Sequence, residues 1–138
     1  MSTKSDARPV IIVLEPDILV RMTIADFLRN CGYKVIEGAV SEDLWTVMRS
    51  GSRLDVVFTE VRLANEADGF ELARRIRRDH PGIDVILTSS VPDAAEKSKD
   101  LCEEGPMKKP YHSNEVANRI KLLLERRRTE MPDLSARE

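Results

Sequence analysis

The sequence predicts an α/β fold, a three-layer doubly wound parallel sheet, on three observations. Short apolar runs rich in Val and Ile recur along it, among them "VIIVL", "DVVF" and "DVIL". They do not alternate with polar residues, which suits strands covered on both faces. Segments of helical length, with apolar residues spaced three and four apart, stand between them. The two kinds follow one another, strand then helix, five times, and that order favours parallel strands joined by crossover helices.

Each element has its own reason. "RPVIIVLE" opens the sheet, and "ILVRMTIADFLRNCG" follows with Leu19, Met22, Ile24, Phe27 and Leu28 near helical spacing and Gly32 as its stop. "YKVIE" is a second strand. "SEDLWTVMRSG" reads as a helix capped by Ser41 and ended at Gly51. "LDVVFT" is a third strand. "DGFELARRIRRDHPG" places Phe70, Leu72, Ala73 and Ile76 on one face, with Pro81 and Gly82 ending it. "IDVILTSS" is a fourth strand, and "PDAAEKSKDLCEEG" a polar, weakly amphipathic helix. "MKK" is a short fifth strand. "HSNEVANRIKLLLERRR" is a last helix, with Val116, Ile120, Leu123 and Leu124 spaced for one face.

The totals bound the function. The 138 residues suit one domain with a real core: residues 1–8 read as a disordered lead-in, 9–128 as the domain, 129–138 as a frayed tail. A net charge of −2 gives no nucleic-acid or acidic-membrane signal, and no apolar run approaches a membrane span. No signal peptide is read at the start, and Cys31 and Cys102 lack metal-like spacing, so two free thiols in a cytoplasmic protein are expected. There is no glycine-rich dinucleotide loop or P-loop.

In doubly wound folds the site lies past the carboxyl ends of the strands. Here those residues are Glu15, Glu60, Thr88 and Lys109. Two carboxylates, a hydroxyl and an ammonium converging there suit a divalent cation and a phosphoryl group.

In these positions the sequence resembles the response-regulator receiver domain of two-component signalling, CheY-like and flavodoxin-like in fold. "VIIVLEPDILVRM" matches the first strand with its acidic loop. "DVVFTEVRLANEADGFELARRIR" matches the acceptor strand, its loop and the next helix. "DVILTSS" matches the strand ending in the switch hydroxyl, and "KKPY" the Lys-Pro-aromatic motif. The resemblance covers about residues 9 to 127 and implies a five-stranded sheet of order 2-1-3-4-5. It also implies phosphoryl transfer from a partner kinase's phosphohistidine onto an Asp. Mg²⁺ would be held by two acids and a backbone carbonyl, with Thr88 and Lys109 in the switch and phosphate-contact positions.

The sequence departs from that pattern at its centre. Glu60 stands where the acceptor Asp is expected, and Pro16 where the second acid of the first loop is expected, with Asp17 one place beyond. Glu reaches about 1–1.5 Å further than Asp, a shift that in-line phosphoryl transfer tolerates poorly. Candidates for a weakened metal site are Glu15, Asp17, Glu60 and the backbone carbonyl of Arg62. The expectation is a single-domain, non-enzymatic receiver with no cofactor, or only weakly held Mg²⁺. It acts by protein–protein interaction, with Glu60 a pseudo-acceptor that partly imitates the phosphorylated state. The alternatives are a decayed site in which Glu60 is only a solvated strand-end charge, and a receiver still phosphorylated by a histidine kinase with Mg²⁺. Expected partners are signalling proteins: a histidine kinase, a phosphotransfer protein or a downstream output protein. The partner face, or a homodimer face, is expected on the helix read after Pro92, the fifth strand and the last helix. It would use Ala94, Ala95, Lys97, Lys108 and Tyr111.

Other residues have plainer readings. Arg126, Arg127 and Arg128 favour the helix dipole at the last helix's end. Arg74, Arg75, Arg77 and Arg78 form a solvated face, Trp45 is half-buried packing, His80 lies on the surface and His112 starts the last helix.

Overall fold

The computed structural model describes residues 8–63, 69–89, 107–108 and 112–130. Five parallel strands, β1 (Val10–Leu14), β2 (Lys34–Gly38), β3 (Val56–Glu60), β4 (Asp84–Ser89) and β5 (Met107–Lys108), form one sheet of order β2-β1-β3-β4-β5. Four helices are described: α1 (Ile18–Asn30), α2 (Ser41–Arg49), α3 (Gly69–Asp79) and α4 (Ser113–Glu130). The segment after Pro92 that reads as a helix lies outside the described residues, as do the lead-in before Arg8 and the end of the chain after Glu130.

The unbroken apolar runs have the predicted cause. All five residues of β1 are buried, and so are all five of β3. Successive strand residues point to opposite faces, so β1 feeds two cores. Ile11 and Val13 join Val56, Phe58 and Ile86 under α1 (Ile24, Ala25, Leu28) and α4 (Val116, Ile120). Val10, Ile12 and Leu14 join Val57 under α2 (Leu44) and α3 (Leu72, Ile76). Each buried side chain of this size stabilises by about 1.5–3 kcal/mol relative to exposure, which a one-sided sheet would forgo on half its positions.

Two details correct the sequence reading. In α1, Leu19 and Met22 are 73% and 47% exposed, whereas Ile24, Ala25 and Leu28 are buried. At 3.6 residues per turn, Leu19 and Met22 lie about 140° and 160° round the helix from Ile24, so one stripe cannot include all of them. In α2, Ser41 is the first helical residue and Val40 the cap. The cap's work falls to Asp43, whose Oδ2 accepts the N–H groups of Ala39 at 2.8 Å and Val40 at 3.1 Å. The acid thus reaches back from the first turn, where it also favours the positive end of the helix dipole.

The end of α1 and the start of α4 follow the sequence. Gly32 follows the α1 cap, Cys31, at φ +99°, a left-handed conformation suited to glycine. His112 precedes α4, and its N–H donates to Glu115 Oε1 at 3.2 Å. α4 runs to Glu130, past the boundary read at Arg128 and two residues before Pro132, whose ring disfavours helical backbone at the preceding residue.

Arg127 does more than favour a dipole. Its Nε donates to Asp84 Oδ2 at 3.1 Å, and its Nη2 lies 3.0 Å from Asp84 Oδ1. The two-pronged pair, with both side chains about a quarter exposed, fastens the end of α4 to the start of β4. Arg127→Ala is expected to lower stability by about 1 kcal/mol, the upper end for a partly exposed pair, as read by urea denaturation. An unchanged midpoint would show that the pair contributes nothing.

Candidate functional site

The site is built by strand register. Leu14 pairs with Thr59 and Glu60 with Thr88, so Glu15, the residue after β1, comes next in register beside Glu60. The carboxyl edge of the sheet therefore carries Glu15, Glu60 and Thr88 side by side. All three are buried, at 2%, 6% and 0% exposure. Glu60 is thus no strand-end charge in water, and the reading of it as a solvated group is overturned. Burying a carboxylate is costly without hydrogen-bond partners, and the edge supplies them. Thr88 Oγ1 donates to Glu60 Oε2 at 3.2 Å. Ser89, the next residue, is also buried.

The floor of the site is backbone. Val61 N–H donates to Thr88 carbonyl at 2.9 Å, continuing the ladder one residue past β3. The first residue of α3, Gly69, donates its N–H to Val61 carbonyl at 2.7 Å. A Cβ on Gly69 would lie 2.6 Å from Glu60 carbonyl oxygen and 2.9 Å from Val61 Cα. The helix start thus rests on the backbone that carries Glu60.

The acidic loop is wired to itself. Glu15 N–H donates to Gly38 carbonyl at 3.0 Å. Glu15 Oε2 accepts the N–H of Asp17 at 3.0 Å. Asp17 Oδ1 accepts the N–H groups of Leu19 at 3.0 Å and Val20 at 3.3 Å, which makes Asp17 the N-cap of α1. Arg21, one turn into α1, donates from Nη1 to Glu15 carbonyl at 2.9 Å. Its Nε lies 3.4 Å from Glu37 Oε1 on β2, and Glu37 Oε2 accepts from Arg29 Nη1 at 3.1 Å. Sequence reasoning passed over Arg21. The available signal was its place: four residues after the capping Asp17, where a helix brings a side chain back over its own first turn.

Of the sequence-predicted residues, Glu15, Glu60 and Thr88 are brought together. Asp17 adjoins them through its backbone, while its exposed carboxylate serves the helix. Arg62 is exposed, two residues past Glu60. Lys108 belongs to β5, paired beside Ser89. Lys109, Tyr111, Ala94, Ala95 and Lys97 lie outside the described residues.

Mg²⁺ prefers octahedral oxygen ligation with carboxylates in its first shell. Pro16 offers no side-chain oxygen, and Asp17's carboxylate is engaged on two helix N–H groups. Among the described residues no three His, Cys, Asp or Glu side chains are grouped to hold a metal. Among the described residues the donor set is one acid short of the set that the family resemblance implies.

Thr88→Val keeps the shape of the side chain and removes the donor to buried Glu60. It is expected to cost about 1.5–3 kcal/mol, the range for a hydrogen bond to a charged group. Denaturant unfolding would measure it, and a loss within error would mean that Glu60 draws nothing from Thr88.

Comparison with known proteins bears on this arrangement. The family described as "Response regulator receiver domain" matches residues 11–121. The chain belongs to that family. This receiver domain is 28% identical over 129 residues to the sensor kinase CckA of Brucella abortus, covering 91% of this chain and 13% of the relative. It is 28% identical over 127 residues to the probable transcriptional regulator ycf27 of Cyanophora paradoxa, covering 91% and 51%. It is 25% identical over 117 residues to the transcriptional regulatory protein PdtaR of Mycobacterium tuberculosis, covering 84% and 57%. The receiver thus spans from 13% to 57% of the length of these curated relatives. Among solved structures, a CheY-like receiver domain protein of Methanospirillum hungatei superposes with a TM-score of 0.80 at 16% identity, covering 91% of this chain and all of that one. A signal receiver domain from Pseudomonas fluorescens gives 0.79 at 21% identity, covering 89% and 99%. At such identities the likeness is one of fold. No helix among the described residues is long and apolar enough to cross a membrane.

Proposed function

We propose that this receiver works by binding, independently of phosphorylation, with Glu60 standing permanently where a phosphorylated acceptor would act on the switch hydroxyl. The observation that carries the reading is the hydrogen bond from Thr88 Oγ1 to the buried Glu60 Oε2 at 3.2 Å. The Thr88 hydroxyl is hydrogen-bonded at the acceptor position by a group that is part of the chain. A carboxylate has one charge and two oxygens against the greater charge and three oxygens of a phosphoryl group, so the imitation is partial.

The domain is no enzyme on this reading, and its output passes through a partner protein of two-component signalling. The fifth strand and the last helix are the described elements expected to respond, because β5 is paired directly to the β4 end that carries Thr88 and Ser89. The partner is a signalling protein, either a histidine kinase or an output protein, or a second copy of the domain.

Backbone amide NMR tests this. Glu60→Gln keeps the length and removes the charge. It is expected to move the amides of Thr88, Ser89, Met107 and Lys108, while the natural chain stays unmoved by a small phosphodonor with Mg²⁺. If Glu60→Gln leaves those four amides in place, Glu60 does not govern the switch and the reading fails.

A further inference from the structure

We infer that the acidic edge of this receiver takes no divalent cation, and that Arg21 is a positioning residue holding the edge in that cation-free form. The inference goes deeper into the site than the binding role proposed above, and rests on that reading only in placing the site at this edge.

The argument is one of donors and charge. A divalent ion needs oxygens free to turn toward it. Glu15 Oε2 is turned back onto its own loop, to Asp17 N–H. Asp17 Oδ1 holds Leu19 N–H and Val20 N–H, so swinging it to an ion would uncap α1. Glu60 Oε2 holds the Thr88 hydroxyl. Pro16 supplies nothing. The loop also carries a fixed positive charge, since the Arg21 guanidinium is 2.9 Å from Glu15 carbonyl. That side chain is only 17% exposed, and its Nε is buried without a hydrogen bond, facing Glu37 at 3.4 Å. A guanidinium so placed repels a second cation and at the same time holds the loop that a metal would otherwise organise. Arg21 touches the Glu15 backbone, not Glu60, so it acts on the site through the loop.

Mn²⁺ is the probe, read as paramagnetic broadening of backbone amides in three proteins: the natural chain, Pro16→Asp, and Pro16→Asp with Arg21→Gln. The natural chain is expected to show no saturable broadening at Glu15, Asp17, Glu60 or Val61 up to about 10 mM ion. Pro16→Asp, which restores a donor, is expected to gain it. Adding Arg21→Gln is expected to tighten that affinity by about tenfold, because a like charge leaves. A role in mere folding would loosen it instead. Saturable broadening in the natural chain at or below about 10 mM ion overturns the inference while leaving standing the binding role, whose Glu60→Gln test uses no metal. Silence in Pro16→Asp overturns the donor argument, and unchanged or weaker affinity on removing Arg21 overturns its part.

Discussion

Pro16→Asp combined with Glu60→Asp will take up a phosphoryl group from a small phosphodonor with Mg²⁺ where the natural chain takes none. Intact-protein mass after incubation is the measurement. The physical reason is distance. In the natural chain the Glu60 carboxylate already meets Thr88 Oγ1 at 3.2 Å, which leaves no space between the two for a phosphoryl group. Shortening the side chain by one methylene withdraws the carboxylate by about 1–1.5 Å and opens that space. The Asp at position 16 restores a metal donor that Pro16 cannot supply. Misplacement of about 1 Å costs about a hundredfold in a reaction governed by positioning, so a difference of at least that size in initial rate is expected between the two proteins. Phosphoryl gain by the natural chain would refute the argument about Glu60 and return this domain to ordinary phosphorelay. No gain by the double variant would place the defect elsewhere than at these two positions.

Gly69→Val will be among the most damaging single changes near the site. Its Cβ would lie 2.6 Å from Glu60 carbonyl oxygen, 2.9 Å from Val61 Cα and 3.2 Å from Val61 carbonyl oxygen. All three are backbone atoms of a strand end buried in the sheet, so no side chain can swing away to make room. Either α3 backs off, lengthening the 2.7 Å bond from Gly69 N–H to Val61 carbonyl, or the end of β3 shifts and carries Glu60 with it. Overpacking of this kind costs about 3 kcal/mol, and an α3 that retreats also loosens Leu72 and Ile76 from their core. Thermal unfolding measures the loss, and the Thr88 amide shift shows which of the two segments has moved. A variant as stable as the natural chain would mean that the helix start is free to retreat.

The parts of this fold that the sequence announces are those where burial alone decides. β1 and β3 had to be covered on both faces, because Val, Ile and Leu fill consecutive positions of β1 and Val, Val and Phe open β3, and the two cores divide them as the pleat requires. The meeting of Glu15, Glu60 and Thr88 was legible for a related reason: parallel strands in register align their carboxyl ends. What stayed hidden depends on short-range choices among polar groups. Ser41 and Asp43 both suit a helix start, and the carboxylate's reach to Ala39 and Val40 decides between them. Asp17 looked free to serve a metal, yet the N–H groups of α1 hold it. Arg21 was marked in the sequence only by its place four residues after Asp17. Its bond to a backbone carbonyl appears only once α1 is laid over the loop.

The protein's one tryptophan has a further use. The Arg75 guanidinium lies over the Trp45 ring, 4.1 Å from its centroid, joining α3 to α2 on one side of the sheet. Its emission therefore reports whether those two helices stay docked, with no dye or second indole to confuse the signal. Thr88 and the fifth strand lie elsewhere on the sheet. An optical signal that holds steady while the Thr88 amides move would isolate switching from unfolding in a cuvette. A signal lost before α1 and α4 begin to exchange their amide protons would reveal that the two layers part company in sequence.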